Sequence, residues 1–334
     1  MRAILLMLTL LLVGSTARGE EARVTVTFLT DWKAQAEHGG FYQALAEGRY
    51  AARGLDVQII QGGPSINIPQ LMAAGSAQFG IGSNSFIPLN LVEAGAPVKA
   101  VAAIFQKDPQ VLITHPRADV NSIADMKGKP IMVSDATIGA FWIWLRAKFG
   151  FSDDQIRKYT FNLAPFLSDE TAIQQGYLSS EPYLIEREGG FEPEVYLLSD
   201  EGYPGYACFI LASQAMITEH PEIVQAFVDA SIEGWMSYLY GDPSPANALI
   251  LRDNPEMTTD VIASAIAKMH EYGIVDSGDT AGLGIGAMSD ARMEEFFTLM
   301  AQNGVYRSDL PYTEGYTLQF VNKGAGRAMG PKGP

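Results

Sequence analysis

Hydrophobic and polar residues alternate along residues 24–29 and again along residues 55–60, which is the pattern of two half-buried strands. A helical pattern begins near residue 41 and ends at Gly54, which is placed as a C-cap. A strand, a helix and a second strand form a βαβ unit, which requires a parallel sheet. The loop after the first strand of such a unit lies at the carboxyl edge of the sheet, where ligands bind. The segment therefore supplies these candidate ligand-binding residues: Asp31, Trp32, His38, Gly39 and Phe41.

The pattern continues as alternating helices and strands over residues 61–114. It predicts helices over 65–74 and 87–94, and strands over 77–81, 98–105 and 110–114, all in one sheet. Three polar loops at strand ends are expected to converge, namely 31–40, 62–67 and 82–85. The two later loops add the candidates Ser65, Ser83 and Asn84. No GxxxxGK[ST] pattern is present, so a nucleotide P-loop is not indicated.

From about residue 115 the pattern restarts and predicts a second α/β unit. Its predicted elements are a short helix within 121–129, a strand at 130–133, a polar turn at 134–139 that contains Thr137, helices at 141–149 and 170–176, and a strand at 194–198. A strand at 207–212 and helices at 221–240, 259–271 and 289–303 follow. The chain is thus expected to cross between two lobes near residues 114 and 206. Lobe 1 comprises 23–114 and 207–320, lobe 2 comprises 115–206, and a Gly-rich tail at 321–334 is expected to be disordered.

Residues 1–22 have the composition of a secretory signal peptide. Arg2 precedes a short apolar run, and small residues follow at a cleavage-like site. No cysteine follows the apolar run, so a lipid anchor is not expected, and the mature protein is expected in the periplasm. Cys208 is the single cysteine, so no intramolecular disulfide can form, and we interpret it as a small buried residue. The net charge of −15 disfavours nucleic acid and anionic membranes as partners.

Residues 24–305 resemble a known family, the ABC-importer substrate-binding proteins of the NMT1/THI5-like group. The similarity is carried by the segments DW…HGGFYQALAEGRYAARGLDVQI, LMAAGSAQFGIGS, IADMKGKPI, GYLSSEP and HPEIVQAFVDASIEGW, in that order. The resemblance implies the type II periplasmic binding protein fold, an α/β fold with two lobes joined by a hinge and a ligand clamped in the cleft between them. It also implies a small-molecule ligand and an ABC permease in the inner membrane as partners, and we expect a monomer.

Within the group, DW followed by HGGFY looks most like the binders of thiamine-pyrimidine precursors. Other members bind sulfonates such as taurine, nitrate, riboflavin or aromatic acids. The candidate loops contain carboxylates and aromatic residues but no arginine, which favours a planar nitrogen heterocycle over an anion. Glu181 is expected either to meet a donor on such a ligand or to lie solvated at a helix end, because a buried carboxylate without a partner is costly.

Aromatic residues near the expected cleft complete the candidate site. Trp32 is expected to stack on the ligand, since offset stacking stabilises planar ligands. Tyr203 and Tyr206 flank the second lobe crossing, and are expected to line either the cleft or the hinge. Tyr183 follows Glu181-Pro182 and is a further candidate.

Catalysis, metals and cofactors are not expected. The same group contains an enzyme, an iron-using pyrimidine synthase, which carries several cysteines where this chain has Cys208 alone in the segment GYACF. The four histidines show no metal-ligand spacing, and no Ser-His-Asp pattern is visible. The sequence therefore predicts a binding protein, with an enzyme on the same fold as the alternative.

Overall fold

The computed structural model describes residues 23–63 and 66–325, and shows an α/β protein with two five-stranded sheets. The predicted signal peptide and Ser65 lie outside the described residues. The strands of the first sheet are β1 (Val24–Leu29), β2 (Leu55–Ile60), β3 (Phe79–Asn84), β4 (Val98–Phe105) and β10 (Ala207–Ser213). The strands of the second sheet are β5 (Gln110–Thr114), β6 (Ile131–Val133), β7 (Ile156–Lys158), β8 (Ile173–Tyr177) and β9 (Glu194–Leu197).

The first sheet has the order β2-β1-β3-β10-β4. β1 pairs in parallel with β2 and β3, as the βαβ pattern predicted. β10 enters between β3 and β4 and is antiparallel to both. The parallel strands therefore present their carboxyl ends, and the loops that follow them, at one edge of the sheet.

The second sheet has the order β7-β6-β8-β5-β9, and it includes a strand that the sequence analysis assigned to the first sheet. That assignment of residues 110–114 was wrong, because β5 pairs antiparallel with β8 and β9. The chain passes from the first sheet to the second between Phe105 and Gln110, a few residues earlier than predicted. It returns between β9 and β10, near the predicted second crossing.

The prediction of a helix over residues 170–176 was also wrong. This segment contributes β8, which lies between β6 and β5 in the second sheet. Its pattern was misleading because a strand buried on both faces is usually a run of apolar residues, whereas the polar Gln174 and Gln175 are both buried here. Close packing against β5 explains the glycine at position 176, since a Cβ on Gly176 would lie 2.5 Å from Cδ1 of Ile113.

Thirteen α-helices occur among the described residues, and most cover the two sheets. They are α1 (Gly39–Ala46), α2 (Ile68–Ala73), α3 (Phe86–Glu93), α4 (Asp135–Ile138), α5 (Phe141–Phe149), α6 (Ala164–Ser168), α7 (Glu181–Gly189), α8 (Gln214–Glu219), α9 (Pro221–Tyr240), α10 (Ser244–Asp253), α11 (Thr259–Glu271), α12 (Thr280–Leu283) and α13 (Asp290–Gln302). The long predicted helices at 221–240 and 259–271 are confirmed. None of the described helices has the length and apolar character that a membrane span requires.

The core of the first lobe forms where α9 packs against the first sheet and α1. Phe227 of α9 stacks on Phe79 of β3, with ring centroids 4.1 Å apart. Trp235 of the same helix is fully buried, and its ring contacts Phe41 edge-on. Because these large rings occupy the interface, α1 can approach α9 only where it lacks side chains.

The beginning of the predicted disordered tail is ordered. Val321 is buried, and the side chain of Asn322 bonds with the backbone of Met288. The backbone of Gly324 donates to Leu283, and Ile285 donates to Ala325. The expectation of disorder was therefore wrong for residues 321–325, while residues 326–334 lie outside the described part of the chain.

Candidate functional site

The three loops at the carboxyl ends of β1, β2 and β3 meet, as the sequence predicted. The backbone N–H of Gly62, after β2, donates to the carbonyl of Trp32, after β1, at 3.1 Å. The side chain of Ser83, near the end of β3, lies close enough to Asp31 to lower the pKa of that carboxyl group. Thr30 Oγ1 also donates to the Trp32 carbonyl, at 2.7 Å. These bonds fix the backbone that carries Asp31 and Trp32.

Asp31 and His38 form a pair within the first of these loops. Nε2 of His38 lies 3.1 Å from Oδ1 of Asp31, and the histidine is buried while the aspartate is half-buried. Burial raises the pKa of Asp31, but the hydrogen bond and electrostatic interaction with His38, together with the nearby Ser83 side chain, outweigh it and bring the pKa below its usual value. Asp31 is therefore an anion at neutral pH. The other ring nitrogen of His38, Nδ1, is buried without a hydrogen-bond partner among the described residues.

Glu37 is a buried carboxyl group in the same loop that the sequence analysis did not select. It lies in a single helical turn, Ala36–His38, and is 5% exposed. Oγ of Ser179, which follows β8 in the second sheet, donates to Oε1 of Glu37. Burial raises the pKa of Glu37, with the Ser179 hydrogen bond opposing this shift and the charge of Asp31 adding to it. A polar loop with consecutive Glu and His was the signal that could have identified it.

Glu181 is the first residue of α7, the helix that follows β8 of the second sheet, and it lies near Glu37. The backbone N–H of Tyr177 donates to Oε2 of Glu181 at 2.8 Å, and the hydroxyl of Tyr159 donates to Oε1 at 3.3 Å. Burial raises the pKa of Glu181, and the charge of Glu37 raises it further. Of the two interpretations left open by the sequence, the solvated surface carboxylate does not describe this half-buried, bonded group.

Aromatic rings from both lobes lie beside the carboxyl groups. The indole of Trp32 contacts the ring of Phe161, with centroids 4.9 Å apart. Phe161 in turn contacts Tyr159, at 5.2 Å between centroids. The row Trp32–Phe161–Tyr159 ends at the hydroxyl that donates to Glu181. The sequence analysis identified Trp32 but missed Phe161 and Tyr159, because the segment between β7 and α6 carries no periodic pattern.

Gly39 and Phe41 lie in the core of the first lobe, not at the cleft surface. Phe41 is fully buried against Phe28, with ring centroids 4.8 Å apart. A Cβ on Gly39 would lie 2.1 Å from the ring of Tyr238 on α9. The glycine is required for the close approach of α1 to α9, and this packing explains both residues without a ligand.

Three more of the candidate residues make hydrogen bonds to other residues of the protein. Oδ1 of Asn84 accepts the backbone N–H of Phe86 at 3.1 Å, at the start of α3. Thr137 on α4 is buried, with its hydroxyl 3.0 Å from that of Ser134. The hydroxyl of Tyr183 on α7 donates at 2.7 Å to Asp260 on α11, in an exposed contact between the two lobes.

Tyr203 and Tyr206 lie at the second lobe crossing. Tyr203 is buried against Trp144 and Phe296, with ring centroids 5.3 and 6.0 Å away. The hydroxyl of Tyr206 donates to Asp279, and the guanidinium of Arg292 lies over its ring at 4.0 Å. Of the two alternatives for these tyrosines, cleft or hinge, the contacts favour the hinge.

Arg292 connects the two lobe crossings. Its guanidinium donates to the carbonyls of Pro204 and Gly205, at 3.0 and 3.2 Å, and also to the carbonyl of Gln106. Gln106 belongs to the first crossing and the other two residues to the second. One side chain of α13 therefore holds both segments about which the lobes could rotate.

The potential for metal or thiol chemistry is small in the part of the chain that the structure describes. No three His, Cys, Asp or Glu side chains are grouped there as metal ligands. Cys208 is buried in β10, and burial raises the pKa of its thiol well above the usual value. The thiolate required for nucleophilic attack is thereby disfavoured.

Several curated proteins show sequence similarity to the chain, among them the following three. It is 24% identical over 310 residues to the riboflavin-binding protein RibY of Chloroflexus aurantiacus, which covers 90% of this chain and 87% of that protein. It is 24% identical over 264 residues to the formylaminopyrimidine-binding protein of Halalkalibacterium halodurans, with coverages of 76% and 79%. It is also 28% identical over 235 residues to the 4-amino-5-hydroxymethyl-2-methylpyrimidine phosphate synthase of Schizosaccharomyces pombe, with coverages of 61% and 63%.

Solved structures establish the fold. A sulfonate-binding protein, SsuA of Methylobacillus flagellatus, superposes with a TM-score of 0.64 at 16% identity, over 90% of this chain and 93% of that one. The desulfurization enzyme DSZB superposes with a TM-score of 0.59 at 13% identity, over 90% and 98%. The chain therefore has the fold of periplasmic binding proteins, which enzymes also use. A family model described as NMT1/THI5 like matches residues 35–246. The chain belongs to the NMT1/THI5-like family.

Proposed function

We propose that this protein is the solute-binding component of an ABC importer and that it binds a small planar nitrogen heterocycle, such as a thiamine-pyrimidine precursor, without changing it chemically. The observation that carries the proposal is the combination of aromatic rings and carboxyl groups between the lobes. Trp32 and Phe161 provide planar apolar surface, while Asp31 and Glu181 provide acceptors for N–H donors. Relatives named for binding riboflavin and formylaminopyrimidine support a nitrogen heterocycle.

Electrostatics disfavours a sulfonate, nitrate or carboxylate as the ligand. Among the described residues, the groups that bond to Asp31, Glu37 and Glu181 include one basic side chain, His38, and neither lysine nor arginine. An anion in this cleft would meet like charges in a low-dielectric environment, which costs several kcal/mol when the charges are unpaired. An aminopyrimidine or a cation would instead satisfy the carboxylates.

An enzyme of the pyrimidine-synthase type is the second candidate, since one relative carries that name. The lone Cys208, with its raised pKa, argues against the cysteine-dependent chemistry implied by that resemblance.

We propose a monomer in the periplasm that closes on its ligand by rotation about the crossings held by Arg292. An inner-membrane permease is the proposed partner.

Native mass spectrometry of the purified protein, followed by equilibrium binding, tests this function. We expect a co-purified heterocycle, or saturable binding of an added aminopyrimidine that is recovered unchanged. Small-angle scattering should show a smaller radius of gyration with the ligand than without it. Turnover of the ligand would support the enzyme instead, and an unchanged radius with a bound ligand would contradict closure.

A further inference from the structure

Two glutamates from different lobes share one buried environment in the cleft. Glu37 belongs to the loop after β1 in the first lobe, and Glu181 begins α7 in the second. The charge of Glu37 contributes to raising the pKa of Glu181. Ser179 lies two residues before Glu181 and donates to Glu37, so the two glutamates are joined across the cleft by a short segment of the second lobe.

Several groups face Glu37 from the elements packed around it. They are Asp31 and His38 in its own loop, Tyr177, Ser179 and Glu181 from the second lobe, Cys208 on β10, and Tyr238 on α9. Of these groups, His38 alone is basic, and it already bonds to Asp31. Closing the lobes without a ligand therefore brings Glu37 and Glu181 together with no cation of their own. Like charges in such a site oppose the ionisation of both groups.

We propose that Glu37 is a specificity-determining residue and that, together with Glu181, it selects a ligand with proton donors or positive charge at two positions, one for each glutamate. This inference rests on the proposed function and narrows its ligand class. A ligand between the two glutamates supplies the donors that the closed cleft lacks. A ligand with a donor at one position only leaves one of the two carboxyl groups without a partner, which weakens its binding. Ser179 positions Glu37 for this contact.

The variant Glu37→Gln tests the proposal, because glutamine keeps the acceptor for Ser179 and removes the charge. Without ligand at pH 8, we expect its melting temperature to rise by about 2–4 °C, since a repulsive buried charge is lost. Its affinity for 4-amino-5-hydroxymethyl-2-methylpyrimidine should fall about tenfold, as for a lost charged hydrogen bond. Glu219→Gln removes the same charge from an exposed side chain, and should change neither quantity.

The outcomes separate this inference from the proposed function. If the wild-type protein binds none of the pyrimidine, both fail. If it binds the pyrimidine and Glu37→Gln binds it equally well, only the role of Glu37 is overturned. A variant that loses thermal stability and affinity together indicates a structural role, which also overturns the inference. If Glu37→Gln does not fold, Glu37→Asp replaces it. That variant keeps the charge and should still prefer the pyrimidine to taurine, and loss of this preference would overturn the inference.

Discussion

The indole of Trp32 and the ring of Phe161 lie in contact across the cleft, 4.9 Å apart at their centroids and inclined by 53°. Phe161 has a φ of 60°, in the left-handed region that side chains with a Cβ rarely adopt. Such strain persists only where the surroundings hold it, and it is concentrated at binding sites. The strained backbone aims the Phe161 ring, which is 43% exposed, at the residue that we expect to stack on the ligand.

Replacement of Trp32 by alanine should weaken ligand binding and leave the fold intact. The expected loss is about 1–3 kcal/mol, the range for truncating an aromatic residue at the centre of a binding site. Titration calorimetry measures this loss, and thermal unfolding checks the fold. An unchanged affinity, or a variant that is unfolded at room temperature, would show that Trp32 does not stack on the ligand.

Replacement of Glu181 by glutamine should discriminate between ligand classes. For an aminopyrimidine we expect a loss of about 1.5–3 kcal/mol, because a hydrogen bond to a charged acceptor is removed. For taurine or nitrate the same change should increase the affinity or leave it unaltered, since a repulsive charge disappears. Parallel titrations of both proteins with the three compounds provide the measurement. A loss of equal size for all three would contradict the assigned role.

Asp108 should make the stability of the protein depend on pH. It lies at the first lobe crossing, is 1% exposed, and accepts a hydrogen bond from the backbone of Gln110. Burial raises the pKa of Asp108 to about 8. In the unfolded chain its pKa is about 3.9. As the pH rises, the unfolded state therefore releases this proton at a lower pH than the folded state does. The stability that protonated Asp108 contributes is lost as the pH rises from about 4 to about 8.

Asp108→Asn keeps the acceptor and removes the titration. The wild-type free energy of unfolding should fall with rising pH by up to about 1.4 kcal/mol per unit from this group, and the variant should lack that part of the slope. Urea denaturation at pH 5 and pH 8 measures the difference. Glu37 and Glu181 also have raised pKa values, so a smaller slope of the same sign should remain. Parallel curves for the two proteins would refute the prediction.

The strands and helices that could be predicted from the sequence are those whose pattern depends on residues close together in the chain. The alternation in β1 and β2, and Gly54 between them, were enough to identify the parallel unit and its ligand loop. The long helices followed from apolar periodicity. Polar residues in a buried strand were harder, as Gln175 in β8 shows, because its hydrogen-bond partner, the backbone N–H of Ser134, comes from another element.

The candidate site was predicted only in part, for a related reason. Asp31 and Trp32 could be found because they follow a strand. Glu37 acquires its significance from Ser179, which is 142 positions away in the sequence. Phe161 lies in an irregular segment, and its contact with Trp32 arises only when the lobes come together. Local periodicity does not indicate which distant segments come into contact. These contacts decide which polar residues face the cleft.

The glycines of α1 provide a test of the packing account. A Cβ on Gly40 would lie 2.1 Å from the indole of Trp235, so Gly40→Ala should destabilise the protein by about 1–3 kcal/mol or more through overpacking. Gly63→Ala is the matched control, because no atom of the described residues beyond its chain neighbours lies within 4 Å of its Cβ position. Chemical denaturation compares the two variants. Equal stability of both would show that the α1–α9 contact does not require glycine.

Titration calorimetry of the wild-type protein with an aminopyrimidine, riboflavin, taurine and nitrate tests the central claim most directly. The claim is that the cleft, with its three carboxyl groups and its aromatic row, holds a planar nitrogen heterocycle and not an anion. We predict saturable one-to-one binding of 4-amino-5-hydroxymethyl-2-methylpyrimidine or of riboflavin, with the compound recovered unchanged, and no measurable heat from taurine or nitrate. Tight binding of taurine or nitrate, with neither heterocycle bound, would contradict the account.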